Sequence, residues 1–421
     1  MIEPDRDELH ELQAFVIQLG AAMNAAGETV ASVQERLTRV TRAYNARSAR
    51  ISAFPTFLMV TMGRGEPASL ELTSVAAVPR LDQIAALDRL VREAERGAVR
   101  PADGLRRLDE IDAMRPRFGP VTSTAGYSVL TVGLCLILQP TARDVAAAAV
   151  LGAVVGVLRA AGRRYPSLQV LMPLLAAFSV SALNALAIRS DLAQPGLRAM
   201  VASLVVFLPG TGLTTAVLEL AAGQMVAGSS RLVSGAMQLA LLAFGIIAGI
   251  QAAGVPAREV FAEPDGLLGD WAAWLGVLVF ALGVMVANSA PRRSLPGLLV
   301  VLYSAWVGQV LGNVIFGGYV SAFVGALVMT PVAAWVSRLP SAMPPHASFL
   351  PGFWLLVPGA LGLIGLAQLA GEARTAGTED LVATVVSIFA VAVGVLCGTL
   401  LVGWPRGPAE ATAPPTTPSP P

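Results

Sequence analysis

From Gly119 onward the sequence is a succession of apolar stretches separated by short polar turns, and this pattern constrains everything the chain can fold into. A helix needs about 20 apolar residues to cross ~30 Å of hydrocarbon. Ten stretches meet that length, at about 121–138, 144–159, 167–188, 198–220 and 231–250, then 268–288, 295–313, 315–336, 350–370 and 379–401. Lipid satisfies no backbone hydrogen bond, so each is expected to be a helix. Of the 421 residues, 55% are hydrophobic and 14% charged, and the mean hydropathy is +0.66. That is more apolar surface than a water-soluble domain can bury.

One span is interrupted. In Phe207 to Arg231, FLPGTGLTTAVLELAAGQMVAGSSR, Pro209-Gly210 falls inside the apolar run and an acid, Glu219, stands near its end. About 150 residues later, Phe353 to Glu372, FWLLVPGALGLIGLAQLAGE, carries Pro358-Gly359 in the same position. Proline removes a backbone donor and glycine lets the chain turn, so amides and carbonyls are freed at depth. Paired broken spans in two halves point to a transporter's substrate site, whereas a single such break also reads as a plain proline kink. Five spans per half reverse the direction of the chain. The expected fold is therefore an α-helical polytopic membrane protein, with about ten transmembrane helices arranged as two inverted five-helix repeats whose fourth helices are broken.

Residues 1–117 are polar and read as a small α+β cytoplasmic domain. Helical spacing of Leu9, Leu12, Phe15, Val16 and Leu19, then of Val30, Val33, Leu37 and Val40, predicts two helices. Arg50–Met62 and Ser69–Val75 predict a hairpin, with Pro55 at an edge or a bulge. Two more helices are expected at about 81–96 and 101–114, the second with proline in its first turn. The membrane repeats would occupy 118–252 and 266–403, and 404–421 is a proline-rich tail expected to be disordered.

No lysine occurs, so all 29 basic residues are arginine, a usage that suggests a GC-rich bacterial genome. Arg115, Arg117, Arg159, Arg163, Arg164, Arg231, Arg292, Arg293, Arg338 and Arg406 fall on one side of the expected topology. Arg143, Arg189, Arg198, Arg258 and Arg374 fall on the other, so both termini are expected in the cytoplasm of a multi-pass inner-membrane protein. Met1–Glu11 is acidic and polar, unlike a signal peptide. A net charge of +1 argues against nucleic acid. Cys135 and Cys397 each stand alone in an apolar span, so no disulfide framework, metal site or cofactor is expected. Only His10 and His346 are histidines, and no HExxH, GxSxG or paired-carboxylate pattern points to an enzyme.

The residues resemble a known family, the ThrE-like bacterial threonine/serine exporters. The amino-terminal run LGAAMNAAGETV (Leu19–Val30) with the hairpin's Val60-Thr61-Met62 is one piece of the likeness. Pro209-Gly210, Leu213-Thr214, Glu219, Gly223, Gly228 and Arg231 resemble the family's PG…LT…D…G…G…R run, with glutamate in place of the usual aspartate. A five-span second half with Pro351-Gly352 and Pro358-Gly359 is the third. The resemblance implies export of threonine and serine driven by the proton-motive force.

A zwitterionic cargo needs partners for its carboxylate and its ammonium. Amides at a half-helix amino end suit the carboxylate, which makes Pro209, Gly210, Thr211 and Gly212 candidates, with Pro358 and Gly359 as counterparts. The Thr211 and Thr214 hydroxyls could add contacts, or bond their own helix. Glu219 is the candidate for proton coupling or ammonium binding, against a structural ion pair with Arg231. Among the amides Asn184, Asn288, Gln309, Asn313 and Gln368, Asn184 and Asn313 are preferred for the cavity. A homo-oligomer remains open, as do two rival functions: a membrane sensor whose amino-terminal domain binds a ligand, and a transporter of another cargo such as a dicarboxylate. An anionic cargo would call for arginine at mid-depth, which the span boundaries do not provide.

Overall fold

The computed structural model describes residues 6–62, 69–74, 79–260, 266–339, 343–356 and 374–402. An amino-terminal α/β layer comes first, made of α1 (Arg6–Ala25), α2 (Val30–Ala43), β1 (Arg50–Ala53), β2 (Phe57–Met62), β3 (Ser69–Ser74), α3 (Leu81–Ala94) and α4 (Pro101–Asp112). The strands form an antiparallel sheet in the order β1-β2-β3, with Ile51 opposite Val60 and Val60 opposite Glu71. Alternation decides which face is covered: Leu58, Val60 and Met62 of β2 are buried, as are Ile51 and Ala53 of β1. Helix α1 packs on β2 and α2 on β1. Val30, Val33, Leu37 and Val40, the stripe expected from spacing, are all buried on α2.

The hairpin differs from expectation. Arg50–Met62 is two strands rather than one, because Pro55 cannot donate to a ladder and turns the chain. The Phe54 amide donates to the Phe57 carbonyl at 3.0 Å across that turn, and the two rings stack at 4.3 Å. The layer is therefore ααβββαα. An ion cluster joins its helices: Arg36 of α2 meets Glu28 at 3.0 Å, Asp88 of α3 at 3.3 Å and Glu95 at 3.0 Å. Burial alone would depress the Arg36 guanidinium, but Glu28, Glu95 and Asp88 outweigh it and hold its pKa above the usual value.

The remainder is almost wholly helical: α5 (Pro120–Ile137), α6 (Ala142–Arg164), α7 (Met172–Arg189), α8 (Arg198–Leu204), α9 (Gly210–Ala221), α10 (Met225–Ala253), the short α11 (Ala257–Val260), α12 (Trp271–Ala287), α13 (Leu295–Phe316), α14 (Gly318–Val336), α15 (Pro345–Leu356) and α16 (Arg374–Leu401). Among the described residues six helices are long and apolar enough to cross a membrane, and the bent pair α8–α9 makes a seventh. The chain is a polytopic, mostly helical membrane protein. Of the ten expected spans, two fall on shorter apolar helices, Trp271–Ala287 and Val320–Val336, and the ninth overlaps the short helix Ala347–Leu356 only over 350–356, the rest of it lying outside the described residues. The second break, Pro358-Gly359, lies outside the described residues. Two boundaries shift with consequence: the second span runs on to Arg164 and the fifth begins at Met225, so Arg159 and Arg231 stand inside helices and not in loops.

Glycines set the closest crossings. A Cβ on Gly133 of α5 would overlap the backbone nitrogen of Phe280, and one on Gly283 of α12 would overlap that of Leu130. The contact is reciprocal, and small residues at such interfaces let helix backbones touch where lipid gives no hydrophobic drive. Replacing Gly133 or Gly283 by alanine should therefore force the pair apart and lower the unfolding temperature in detergent by several degrees, for a cost of about 1–3 kcal/mol. Gly119→Ala, where a Cβ meets nothing within 4 Å, should leave it unchanged.

Candidate functional site at the broken fourth span

Helix α8 ends at Leu204, a single 3-10 turn covers Val205–Phe207, and Leu208 is extended (φ −71°, ψ 125°) before α9 begins at Gly210. The two halves meet at 55°. Pro209 accounts for the interruption, since it cannot donate back along the helix. The freed groups find different fates. The Phe207 carbonyl accepts from Gln238 Nε2 of α10 at 2.7 Å, and the Pro209 carbonyl accepts from the Leu213 amide at 2.8 Å. Gly210, Thr211 and Gly212 head α9, so their amides have no carbonyl within it. Among the described residues, the hydroxyls of Thr211 and Thr214 are buried without a hydrogen-bond partner. Beside Gly212 the space is open, with no atom within 4 Å of where a Cβ would stand.

A turn then returns the chain as α10. Gly223 adopts a positive φ of 78°, and a Cβ on Gly228 would press on Leu220 and on the Ala216 carbonyl, so α9 and α10 lie tightly together. Gly235 makes room in the same way for Leu213. This closeness sets Arg231 Nε 3.0 Å from Glu219 Oε2. Glu219 is 1% exposed, and its other oxygen accepts from the Val30 amide at 3.1 Å. Val30 is the first residue of α2, so the acid of the broken span caps a helix of the amino-terminal layer, where the positive end of the helix dipole favours it.

The run LGAAMNAAGETV shapes that docking point. Gly20 lets α1 approach Leu58 and Leu37, Asn24 Nδ2 donates to the Phe54 carbonyl at 2.5 Å, and Gly27 turns the chain at φ +88°. Thr29 caps α2 by accepting from the Ser32 amide, while Glu28 accepts from Ser32 and Arg36. The first-turn amide of Val30 is left for Glu219.

The structure thus brings together Pro209, Gly210, Thr211, Gly212 and Thr214 at the break, and sets Glu219 at the far end of α9 against Arg231 and α2. Asn184 is buried on α7 with Nδ2 unpartnered. Asn313 is exposed in the last turn of α13. Pro358 and Gly359 fall outside the described residues. Sequence reasoning missed Gln238 and the Val30 amide. Gln238 interrupts an otherwise apolar run, which is a signal, whereas a backbone amide leaves none.

The amino-acid sequence has relatives among known proteins. Residues 14–253, more than half of the chain, match the ThrE family model, described as "Putative threonine/serine exporter". The "Pheromone-regulated membrane protein 10" of Yarrowia lipolytica is 23% identical over 402 residues, covering 90% of this chain and 32% of that protein. Its namesake in Eremothecium gossypii is 26% identical over 209 residues, covering 48% of this chain and 28% of that protein. The chain therefore spans about a third or less of the curated relatives it matches. No solved structure matches.

Truncating Glu219 to alanine should strip the cap from α2 and leave Arg231 as a partly buried, unpaired cation, at a cost of about 2–3 kcal/mol once solvent access to the arginine is allowed for. Hydrogen exchange of the amides in the first turn of α2 should rise at least tenfold in Glu219→Ala and less in Glu219→Gln, which keeps an acceptor oxygen. Unchanged exchange there would contradict the docking.

Proposed function

Because the chain belongs to the ThrE threonine/serine exporter family, we propose that it exports small hydroxyl amino acids, threonine and serine, across the inner membrane of a bacterial cell by alternating access, as a proton antiporter with both termini in the cytoplasm. The observation that carries the reading is the break itself: the first-turn amides of Gly210, Thr211 and Gly212, two buried hydroxyls without a partner among the described residues, and open space beside Gly212. Buried polar groups without partners are costly, and a cargo that supplies the partners relieves that cost. The amides and dipole of α9 favour an electron-rich group of the cargo, and the threonines suit its hydroxyl.

The inverted repeat belongs to the same proposal, and the glycine crossings support it. On α10, Gly245 and Gly249 seat against Ala177 and Ser181 of α7. On α16, Gly394 and Gly398 seat against Ala326 and Thr330 of α14, about 150 residues on at every position. The reciprocal pair α5–α12 would lie on the pseudo-two-fold axis, since each partner is the other's equivalent. The same offset relates Pro209-Gly210 to Pro358-Gly359.

Glu219 enters this scheme through charge rather than through direct cargo contact. Its protonation would break the ion pair with Arg231 and weaken the cap on α2, so a proton bound there would loosen the amino-terminal layer from the broken span. That is a coupling device, because the same event alters the element that carries the site.

Thr214→Val separates site from scaffold. The hydroxyl has no partner among the described residues, so its loss should leave the unfolding temperature unchanged or raise it. Uncoupler-sensitive efflux of radiolabelled threonine from preloaded cells should nevertheless need about five- to tenfold more substrate for half-maximal rate. Efflux from wild-type cells no greater than from cells lacking the protein would remove the exporter reading and favour a membrane sensor.

A further inference from the structure

Helix α6 carries a cation that neither the fold nor the ion pairs account for. The Arg159 guanidinium lies 5.1 Å above the ring of Tyr127, a side chain that is 1% exposed on α5. Gly156, one turn earlier on α6, permits this approach, because a Cβ there would sit 3.0 Å from the Thr124 Cα. The Tyr127 hydroxyl donates to the Ser203 carbonyl at 2.7 Å. Ser203 lies in the last turn of α8, just before the 3-10 turn and the break. The arginine is thus fixed, through one aromatic ring, to the segment that enters the candidate site, and α6 packs directly on α8.

Its charge has no counterpart among the described residues. Among the described residues of the membrane helices the ion pairs are Arg143–Asp191 and Glu219–Arg231, and Arg159 is in neither. The nearest charge along the helix is Arg163, one turn on and of the same sign. Stacking on Tyr127 offsets part of the cost of holding a guanidinium between helices, but it satisfies none of the N–H groups in the plane of the fork. Arg159 as a residue is half-buried rather than sealed between the helices. A planar fork, stacked on an aromatic face with its donors unused, matches a carboxylate in two parallel hydrogen bonds. In the second half, about 150 residues on, Gln309 stands on α13, which packs on α15 as α6 packs on α8, and its Oε1 is also buried without a partner.

We propose that Arg159, held on the Tyr127 ring beside the broken fourth span, is the position that receives the α-carboxylate of the transported amino acid. This rests on the exporter reading and names the cargo group to which the protein commits a full charge. A mere surface-seeking arginine at a helix end would bind no ligand group in particular.

Ligand-induced thermal stabilisation of the full-length protein in detergent tests it, with L-threonine and L-threoninol, which lacks the carboxylate, as probes. Wild type should require about tenfold more threoninol than threonine for half-maximal stabilisation, as expected for loss of a charge-assisted pair. In Arg159→Gln that ratio should fall to about one, and in Arg159→Lys, which keeps the charge but not the fork, to an intermediate value. Should Arg159→Gln fail to fold, Arg159→Lys still decides. A ratio unchanged in the variant that folds would overturn the assignment, because a structural arginine would shift both ligands equally. If wild type responds to neither threonine nor serine, the exporter reading fails and L-lactate and acetate become the probes. Stabilisation by these that Arg159→Gln abolishes keeps the carboxylate site for another cargo, and no stabilisation by any carboxylate overturns it.

Discussion

The contact on which the rest of the molecule depends is made by one side chain, Glu219. One oxygen meets Arg231 of α10 and the other meets the amide that begins α2, so three elements from distant parts of the sequence share a single buried charge. A carboxylate near the carboxyl end of its own helix opposes that helix's dipole, and a positive partner is needed to hold it there. Arg231 supplies a full charge and α2 a partial one. The consequence is mechanical as well as electrostatic, since the amino-terminal layer is bonded to the carboxyl half of the broken span and not to the lipid-facing side of an ordinary helix.

The other constraint is the closeness of helix backbones. Lipid tails are as apolar as leucine, so helices associate through fit and through polar contacts. Glycine and small side chains supply the fit at α5–α12, α7–α10 and α14–α16. Tyr127, Gln238 and Glu219 supply the polar contacts, each to a backbone atom of a different element. These three fall at or beside α8 and α9, where the backbone is broken and unsatisfied groups would otherwise cost most, while serines such as Ser123 and Ser128 bond carbonyls of neighbouring helices elsewhere.

Hydropathy and helical spacing made the elements legible, because both report which face meets lipid or core. The stripe Val30–Val33–Leu37–Val40 and the break at Pro209-Gly210 were readable for that reason. The motif Gly223–Gly228–Arg231 was readable as a motif but not as a purpose: its glycines shape a tight return, and its arginine closes on Glu219. What sequence could not show were contacts made by backbone atoms or by residues whose neighbours are remote, such as the Val30 amide, the Phe207 carbonyl and the Ser203 carbonyl. The place of Arg159 was hidden by one boundary. A basic residue near a span's end looks like a loop residue until the helix is seen to continue to Arg164.

These contacts divide the broken span into two bodies. The amino side, α8, is tied by Ser203 to Tyr127 and so to α5, which in turn is wedged against α12 through reciprocal glycines. The carboxyl side, α9, is locked to α10 at Gly228 and Gly235 and bonded to the amino-terminal layer through Glu219. Between them the chain has one extended residue, Leu208, and a proline, with a side-chain bridge from Gln238 to the Phe207 carbonyl. Relative motion costs least where the fewest packed contacts must be remade. The place that meets this condition is the break, so the residues that would hold the cargo are also those about which the two bodies would turn.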